Sequence, residues 1–262
     1  MKDIFDFASF NMFYESLNRL EKTVQPEKWS YNQKPPGQKN TRNPILENYI
    51  HHTFRRLLEE YQAEPDEAKR QKIIYHTDAC ACFNTGLFTP NYSKVYGLFY
   101  PTNNPQNDKP YFFYGFFHEA HSRLNDVKEL PRRANYFSHI SDLIYDPTLA
   151  IRSSNEHILQ ENKDRFPDDL RDSPILTALF AGAVDIAQKR VQSNYKVAVP
   201  TYYRGEICLL LPLCLRGTSQ ADLALAVKKN DGFYTAKTCL TLDMAYNDAR
   251  LIAKPDADWL TP

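Results

Sequence analysis

Residues 196–242 read KVAVPTYYRGEICLLLPLCLRGTSQADLALAVKKNDGFYTAKTCLTL, and this stretch decides the fold. Runs rich in β-branched and aromatic residues alternate with turn residues, which predicts consecutive strands. These strands are expected at 196–203, 206–215, 222–228 and 234–242. Connections this short join antiparallel neighbours, because a parallel crossover needs roughly a dozen residues or more. The run from Cys208 to Leu211 is apolar on both faces, so we expect that strand inside the sheet.

The preceding sequence supplies helices and further strands. Asn43 and Pro44 are typical of an N-cap and a first helical position, and an apolar face at helical spacing follows them. Ser173 and Pro174 repeat this pattern before a second amphipathic segment that ends near Ser193. Aromatic-rich strands are expected at 73–83, 94–100 and 111–117. Helices from the N-terminal third and the middle, packed on an antiparallel or mixed central sheet, make an α+β fold.

The domain organisation follows from length and composition. The chain has 262 residues, which suits one large domain or two small ones. Residues 3–20 carry apolar side chains at helical spacing, whereas residues 22–43 are polar and contain several prolines. We therefore predict an N-terminal helix and extended linker over residues 1–42. A single α+β domain is expected over residues 43–262.

Charge and cysteine content restrict the class of protein. Lysine plus arginine number 32 and aspartate plus glutamate number 32, which excludes a protein that coats polyanions by bulk charge. The five cysteines are an odd number in apolar surroundings, which favours buried free thiols over a disulfide scaffold. No signal-peptide core and no apolar run near the length of a membrane span is recognisable. We expect a cytoplasmic protein without membrane contact.

The first candidate polar site is Asn84-Thr85-Gly86, which follows a predicted strand. Such a turn can present backbone amides to an anion, so these residues are candidate substrate-binding residues. One glycine is far short of the glycine-rich phosphate loops, which need several at fixed offsets. The alternative is an ordinary turn in which the asparagine tolerates a left-handed backbone.

The second candidate site is the segment from Asn155 to Arg165. His157 and Glu161 are four residues apart, so on a helix they are neighbours. A carboxylate beside an imidazole fixes the ring tautomer, and we take this pair as the candidate catalytic acid and base. Asn155 and Arg165 are the candidate substrate-binding residues of this segment. A polar network that ties the segment to the core is the alternative.

The third candidate site lies at the C-terminus. If the chain turns helical after Leu242, one face carries an acceptor, a phenol, an amide and a guanidinium. These four residues are Asp243, Tyr246, Asn247 and Arg250. Arginine binds an oxyanion with two parallel hydrogen bonds and tyrosine can stack on a base, so the set suits a phosphate-bearing or base-bearing ligand. An Asp–Arg ion pair beside a packed tyrosine is the alternative.

The sequence indicates no metal centre and identifies no cofactor. His118 and His121 are three residues apart, whereas a zinc-protease helix places its histidines four apart with a glutamate after the first. No Gly-x-Ser-x-Gly nucleophile motif occurs.

Three parts of the chain carry a family resemblance. FNTGL at 83–87, the segment Asn155 to Asn162, and the stretch from AVPTYYRGEICLLLPLCL at 198–215 to DARLIAKPDADWL at 248–260 resemble the bacterial family called domain of unknown function 3825. The resemblance runs from about Asn43 to Leu260. Such domains are often joined to LOTUS-type or cold-shock RNA-binding modules, so the resemblance implies an RNA-related role. It implies no established reaction.

The sequence leaves three function classes open. The first is an RNA- or nucleotide-handling domain, in its specific form an enzyme that acts on a phosphate-containing substrate. Arg165 and Arg250 would neutralise the phosphate and Tyr246 would stack. The second is a non-catalytic module that holds RNA or a protein through the exposed aromatics between Tyr92 and Phe117. The third is a homo-oligomer formed through the helix expected at residues 3–20.

Overall fold

A computed structural model describes residues 3–32, 41–102, 108–203, 205–217 and 219–260. The chain divides into two compact units, Met1–Asn135 (unit 1) and Tyr136–Pro262 (unit 2). The described residues form two five-stranded sheets, one in each unit, and each sheet has its own core. The single domain expected over residues 43–262 stays a prediction. The fold is α+β, as predicted, because both sheets are mixed and helices pack on them.

Unit 1 is built on a sheet with the strand order β1-β5-β4-β3-β2. Its helices are α1 (Ile4–Phe7), α2 (Phe13–Thr23), α3 (Pro44–Ala63) and α4 (Glu67–Gln71). Its strands are β1 (Ala8–Ser9), β2 (Ile74–His76), β3 (Ala81–Phe88), β4 (Lys94–Pro101) and β5 (Tyr111–His118). The short β1 runs parallel to β5, and the remaining pairs are antiparallel.

Helix α3 covers one face of this sheet. It begins at Pro44 after Asn43, as the sequence predicted, and Phe54 on its apolar face is fully buried. The Phe54 ring meets the ring of Phe83 on β3 edge to face, with centroids 5.0 Å apart. A second core of Tyr75, Cys82, Tyr96, Leu98, Leu124 and Val127 lies on the other side of the sheet. Aromatic pairs of this geometry add about 0.5–1.5 kcal/mol each beyond the area they bury.

Unit 2 is built on a sheet with the strand order β6-β10-β9-β8-β7. Its strands are β6 (Ala150–Arg152), β7 (Val199–Tyr203), β8 (Glu206–Leu213), β9 (Leu223–Asn230) and β10 (Phe233–Leu240). Its helices are α5 (Asn155–Glu161), α6 (Asp168–Arg171), α7 (Leu176–Ser193) and α8 (Leu242–Arg250). Strands β7 to β10 are consecutive antiparallel neighbours, as predicted, and β6 pairs in parallel with β10.

The two faces of the unit 2 sheet have different partners. One face presents a cluster of buried apolar side chains that includes Leu209, Leu211, Leu225 and Val227, and α7 packs on it. Helix α8 contacts β7, β9 and β10. Strand β8 lies between β9 and β7, which confirms the prediction of an interior strand.

Two local predictions differ from the structure. Residues 3–20 form two helices separated by β1, because Ala8 and Ser9 pair with β5 instead of continuing the helix. The oligomer alternative stays a prediction, because Ile4 and Leu17 of its apolar face are buried within the chain but Tyr14 is 44% exposed. Helix α7 starts at Leu176, since the amide of Leu176 bonds to the carbonyl of Ser173 in a preceding turn. The linker expected within residues 1–42 includes residues 33–40, which lie outside the described residues.

Candidate functional site

The candidate site is a cavity of about 540 Å³ in unit 2. Its wall on the sheet consists of alternate residues of neighbouring strands, which point to the same face because the side-chain period of a strand is two. These residues are Thr201, Tyr203, Glu206, Cys208, Ala226, Lys237, Thr238 and Leu240. The remaining wall consists of Glu161, Asn162, Arg165, Met244 and Asp248. Small side chains at Thr201, Cys208 and Ala226 leave the room that makes the cavity.

A β-bulge in β10 brings two consecutive side chains into this cavity. Ala236 pairs with Val227 and Thr238 pairs with Ala226, so Lys237 is an extra residue without a partner in the ladder. In a regular strand, Lys237 and Thr238 would point to opposite faces. The bulge shifts the alternation, and both now line the cavity. No carboxylate of the described residues lies within ion-pair distance of Lys237.

Arg165 is held in place by three acceptors. Its Nη1 donates to Asn162 Oδ1 at 2.6 Å, to Thr238 Oγ1 at 3.1 Å, and to the carbonyl of Cys239. All three bonds are donated by this one nitrogen. Within the described chain the other two guanidinium nitrogens make no hydrogen bond, and they remain for a ligand.

Asn162 connects the helical wall to the sheet. Its side chain is buried, and its Nδ2 donates to the carbonyl of Ile158 at 2.8 Å. Its Oδ1 accepts from Arg165 and also from Thr238 Oγ1, the latter at 2.7 Å. Every polar atom of the buried amide is therefore satisfied, which fixes the position of the guanidinium beside the cavity.

Among the acidic residues that line the cavity, Asp248 has the pKa that differs most from its ordinary value. Burial raises the pKa of its carboxyl to about 6, although the Asn247 amide and the charge of Arg165 each act to lower that pKa. Asn247 Nδ2 donates to Asp248 Oδ1 over a long 3.4 Å. A carboxyl with a pKa near 6 exchanges its proton near neutral pH, which is the property of a general acid or base.

Thr201 contributes an unsatisfied hydroxyl. It is 1% exposed, lines the cavity, and its Oγ1 finds no hydrogen-bond partner among the described residues. Leaving a buried hydroxyl unpaired costs about 1–3 kcal/mol, which a ligand that bonds to it would recover. The neighbouring Cys208 is a free thiol, and burial raises the pKa of that thiol, so it lines the cavity in its neutral form.

One member of the predicted acid–base pair lines this cavity. His157 and Glu161 are on α5, and His157 Nε2 is 3.4 Å from Glu161 Oε1, so the helical spacing was interpreted correctly. Their side chains are 63% and 58% exposed, and such ion pairs contribute little to stability. Glu161 lines the cavity and His157 does not. Asn155 begins α5, and its buried Oδ1 has no partner in the described chain.

The predicted C-terminal cluster lies on α8 but does not line the cavity. Asp243, Tyr246 and Arg250 share one buried face of the helix, and each interacts with other residues of the chain. The cavity is lined instead by Met244 and Asp248, which are four residues apart and occupy a different face. Asn247 does not line the cavity, but its side-chain amide bonds to Asp248, which does.

Asn84, Thr85 and Gly86 are in unit 1, within β3, where the register with β4 shifts between Asn84 and Phe88. The segment is a bulge within a strand and not the predicted turn. Asn84 donates to the carbonyl of Pro131 and accepts from the amide of Gly86, while Thr85 Oγ1 donates to the carbonyl of Val95 at 2.7 Å. These side chains are occupied by internal bonds.

Asn84 and Gly86 nevertheless line a second cavity of about 480 Å³ in unit 1. Three cations at this cavity are already ion-paired. Lys72 Nζ is 3.2 Å from Glu129, Lys94 Nζ is 3.9 Å from Glu119, and Arg132 Nη1 is 2.6 Å from Glu60. A role of Asn84, Thr85 and Gly86 in binding stays a prediction.

Sequence reasoning missed Asp248, Lys237, Thr238 and Thr201. The bulge at Lys237 interrupts the alternation by which strand faces are assigned, and Asn162 meets Thr238 across 76 positions of sequence. The sequence did contain one signal for Asp248. On the predicted helix after Leu242, Met244 and Asp248 are four residues apart and share a face, but the prediction took the face that carries Asp243.

None of the described helices is long and apolar enough to cross a membrane. In the same part of the chain, no three or more histidine, cysteine, aspartate or glutamate side chains are grouped to hold a metal ion.

Comparison with known proteins gives one match. A family model described as a domain of unknown function (DUF3825) matches residues 20–259. No curated protein and no solved structure matches the chain. The match covers nearly the whole chain, including the three segments that carried the sequence resemblance except for the last residue of the third, and confirms the resemblance. The chain belongs to the family of domain of unknown function 3825.

Proposed function

We propose that unit 2 binds a nucleotide or an RNA end in its cavity and acts as an enzyme on the phosphate-containing part. The observation that carries the proposal is that Asp248 and Arg165 line the same cavity. Asp248 has a carboxyl with a pKa of about 6, and Arg165 has a guanidinium whose position is fixed by hydrogen bonds. Acid–base catalysis at a phosphate ester requires a proton-transfer group next to a cation.

The phosphate would be bound by Arg165 and Lys237. The guanidinium has two nitrogens left for a ligand in the described chain, and arginine suits phosphate because its donors match the oxygens of the anion. Lys237 supplies a second positive charge without an ion-pair partner there. The nearby Glu206 is neutralised by Lys228, whose Nζ is 2.6 Å away.

The rest of the ligand would lie on the apolar floor. Cys208, Ala226, Leu240 and Met244 provide small and flexible apolar contacts, and Tyr203 is 47% exposed at the same cavity. This mixture of an apolar floor with a few polar groups is typical of small-molecule sites. The hydroxyl of Thr201 would gain the hydrogen bond that it lacks within the described residues.

In catalysis, Asp248 would accept a proton from the attacking water or hydroxyl and return it to the leaving group. Glu161 in the cavity wall and its neighbour His157 stay candidates for a second proton-transfer step. We place the protein in the cytoplasm, since all five cysteines are free and buried.

The test is a binding and turnover screen with nucleoside mono-, di- and triphosphates and an RNA oligonucleotide with a terminal phosphate. Binding is measured by calorimetry and products by mass spectrometry. We expect Lys237→Met to weaken binding about tenfold, the effect of one charge-assisted contact. We expect Asp248→Asn to lower turnover about 100-fold or more with a smaller change in affinity.

The matched control is Lys229→Met. Lys229 lies in the same hairpin but pairs with Asp146 at 3.8 Å and does not line the cavity. The proposal fails if wild-type protein binds none of these compounds, or if Lys237→Met and Lys229→Met change affinity equally.

A further inference from the structure

A series of aromatic rings lies along one face of the unit 1 sheet. It runs through Tyr100, Phe112, Tyr114, Phe117 and His121, which together we call the aromatic face. Tyr100 is 6.0 Å from Phe112 and 5.0 Å from Tyr114, measured between ring centroids. Tyr114 stacks on Phe117 at 5.8 Å with an interplanar angle of 23°, and Phe117 is 4.6 Å from His121.

A second β-bulge creates this arrangement. Phe99 pairs with Phe113 and Leu98 pairs with Gly115, so Tyr114 is an extra residue in β5. Strict alternation would place residues 112, 114 and 116 on one face. The bulge changes the alternation after Tyr114, and Phe117 joins Phe112 and Tyr114.

The aromatic face is firmly supported and still accessible. Tyr100 and Phe117 pack against the buried core that contains Tyr96 and Leu98, which limits their movement. Tyr114 is 40% exposed, and Phe112, Phe117 and His121 are half-buried. On the opposite face of the sheet, the rings of Phe83 and Phe99 are fully buried.

An unpaired cation accompanies these rings. The guanidinium carbon of Arg123 is 5.2 Å from the centroid of the Tyr114 ring. No carboxylate lies within ion-pair distance of Arg123 among the described residues. Its positive charge, next to an exposed ring, is available to an anionic group of a ligand.

We propose that the aromatic face of unit 1 binds single-stranded nucleic acid, with bases stacked on Tyr114 and Phe117 and a phosphate held by Arg123. Exposed rings beside a cation fit an unpaired base and its phosphate, because every base offers a π-face. A protein partner fits this surface less well, since a protein does not place a negative charge next to each stacked ring, as the phosphates of a nucleic acid strand would for Arg123. The proposal concerns the other unit and shares no residue with the unit 2 cavity.

The test is fluorescence anisotropy of a short labelled single-stranded RNA of mixed sequence, with an unlabelled DNA strand and an RNA duplex as competitors. We expect Tyr114→Ala to weaken binding about tenfold, and Tyr114→Phe to retain it because the ring remains. Arg123→Gln should reduce the dependence of affinity on salt between about 50 and 200 mM.

The matched control is Tyr92→Asn. Tyr92 is the most exposed tyrosine of the described chain at 75%, it is outside the series of rings, and its φ of 60° is a backbone conformation that asparagine tolerates. Binding unchanged in the control and lost in Tyr114→Ala supports the proposal. No binding by the wild type at low salt, equal losses in Tyr114→Ala and Tyr92→Asn, or preference for the duplex overturns it.

The same experiment separates the two proposals. Asp248→Asn should leave the anisotropy result unchanged, and Tyr114→Ala should leave nucleotide binding by unit 2 unchanged. If Asp248→Asn abolishes strand binding while Tyr114→Ala does not, the strand is held at the unit 2 cavity and the aromatic face has no such role.

Discussion

Thr238 donates a hydrogen bond from its Oγ1 to the Oδ1 of Asn162 over 2.7 Å and so connects β10 with the end of α5. β6 pairs with β10 only from Phe233 to Thr235. The later part of β10 therefore lacks a strand partner on that side within the described residues. Asn162 and Arg165 take that place, with Arg165 donating to the carbonyl of Cys239. Side chains, not another strand, close this edge of the sheet.

We expect Asn162→Ala to destabilise unit 2 by about 1–3 kcal/mol, because it leaves the donors of Arg165 and Thr238 without their shared acceptor. Gln160→Ala is the control, since Gln160 is exposed on the same helix and should change stability by less than about 0.5 kcal/mol. Urea unfolding is followed by the fluorescence of Trp259 in a Trp29→Phe background, which reports on unit 2 alone. Equal effects of the two substitutions would contradict the role given to Asn162.

How far the sequence predicted the site depends on the range of the interaction. The contact between His157 and Glu161 follows from helical spacing, and the sequence predicted it. The interior position of Cys208 to Leu211 follows from an apolar run and was also predicted. Both depend only on residues that are close in the chain.

The bulges at Lys237 and at Asn84–Gly86 were not predictable in this way. Each bulge depends on which strand lies alongside and on the register between the two strands. The sequence near Lys237 or Asn84 does not indicate that register. The sequence favoured a different face of α8 from the one that lines the cavity, for a related reason. Tyr246 and Arg250 are amphipathic, and their spacing does not tell whether they point to a ligand or into the protein.

The left-handed glycine of the β3 bulge gives a second prediction. Gly86 has a φ of 75°, and a Cβ built there would lie 2.6 Å from the Tyr49 hydroxyl. Gly86→Ala should destabilise unit 1 by about 1–3 kcal/mol, since backbone strain adds to the clash. Gly182→Ala is the contrast. Gly182 is inside α7 with open space around it, so alanine should stabilise unit 2 by about 0.5–1 kcal/mol.

Both variants are measured by urea unfolding, with Trp29 reporting on unit 1 and Trp259 on unit 2. If Gly86→Ala proved neutral, Gly86 would not be required for the bulge, and the binding role predicted for Asn84–Gly86 would regain interest.

Two buried threonines give a third prediction, in which the same substitution changes stability in opposite directions. Thr85 Oγ1 donates to the carbonyl of Val95, so Thr85→Val should destabilise unit 1 by about 1–2 kcal/mol. Thr201 Oγ1 bonds to no described residue, so Thr201→Val exchanges an unsatisfied hydroxyl for a methyl group and should be neutral or stabilising. The same two unfolding assays measure both. A marked loss of stability in Thr201→Val would mean that its hydroxyl is bonded in the free protein, and would remove it from the candidate site.

The ionisation of Asp248 gives the last prediction. Burial raises the pKa of this carboxyl from 3.8 to about 6, so the folded protein holds the proton more tightly than the unfolded chain. Stability linked to this group is then greatest below about pH 4 and is lost as the pH rises through about 6. One pKa unit corresponds to about 1.4 kcal/mol, so the loss is on the order of 2–3 kcal/mol.

Asp248→Asn cannot ionise and should not lose this stability. We therefore expect the variant and the wild type to have similar unfolding free energies near pH 4. The variant should become more stable than the wild type by on the order of 2–3 kcal/mol above pH 7. The control is Asp185→Asn, an exposed carboxylate on α7, whose difference from the wild type should change little with pH. If the difference in unfolding free energy between Asp248→Asn and the wild type does not grow from pH 4 to above pH 7, ionisation of Asp248 does not destabilise the folded protein. The group proposed for proton transfer would then lack the required pKa, and the acid–base role would pass to His157 and Glu161.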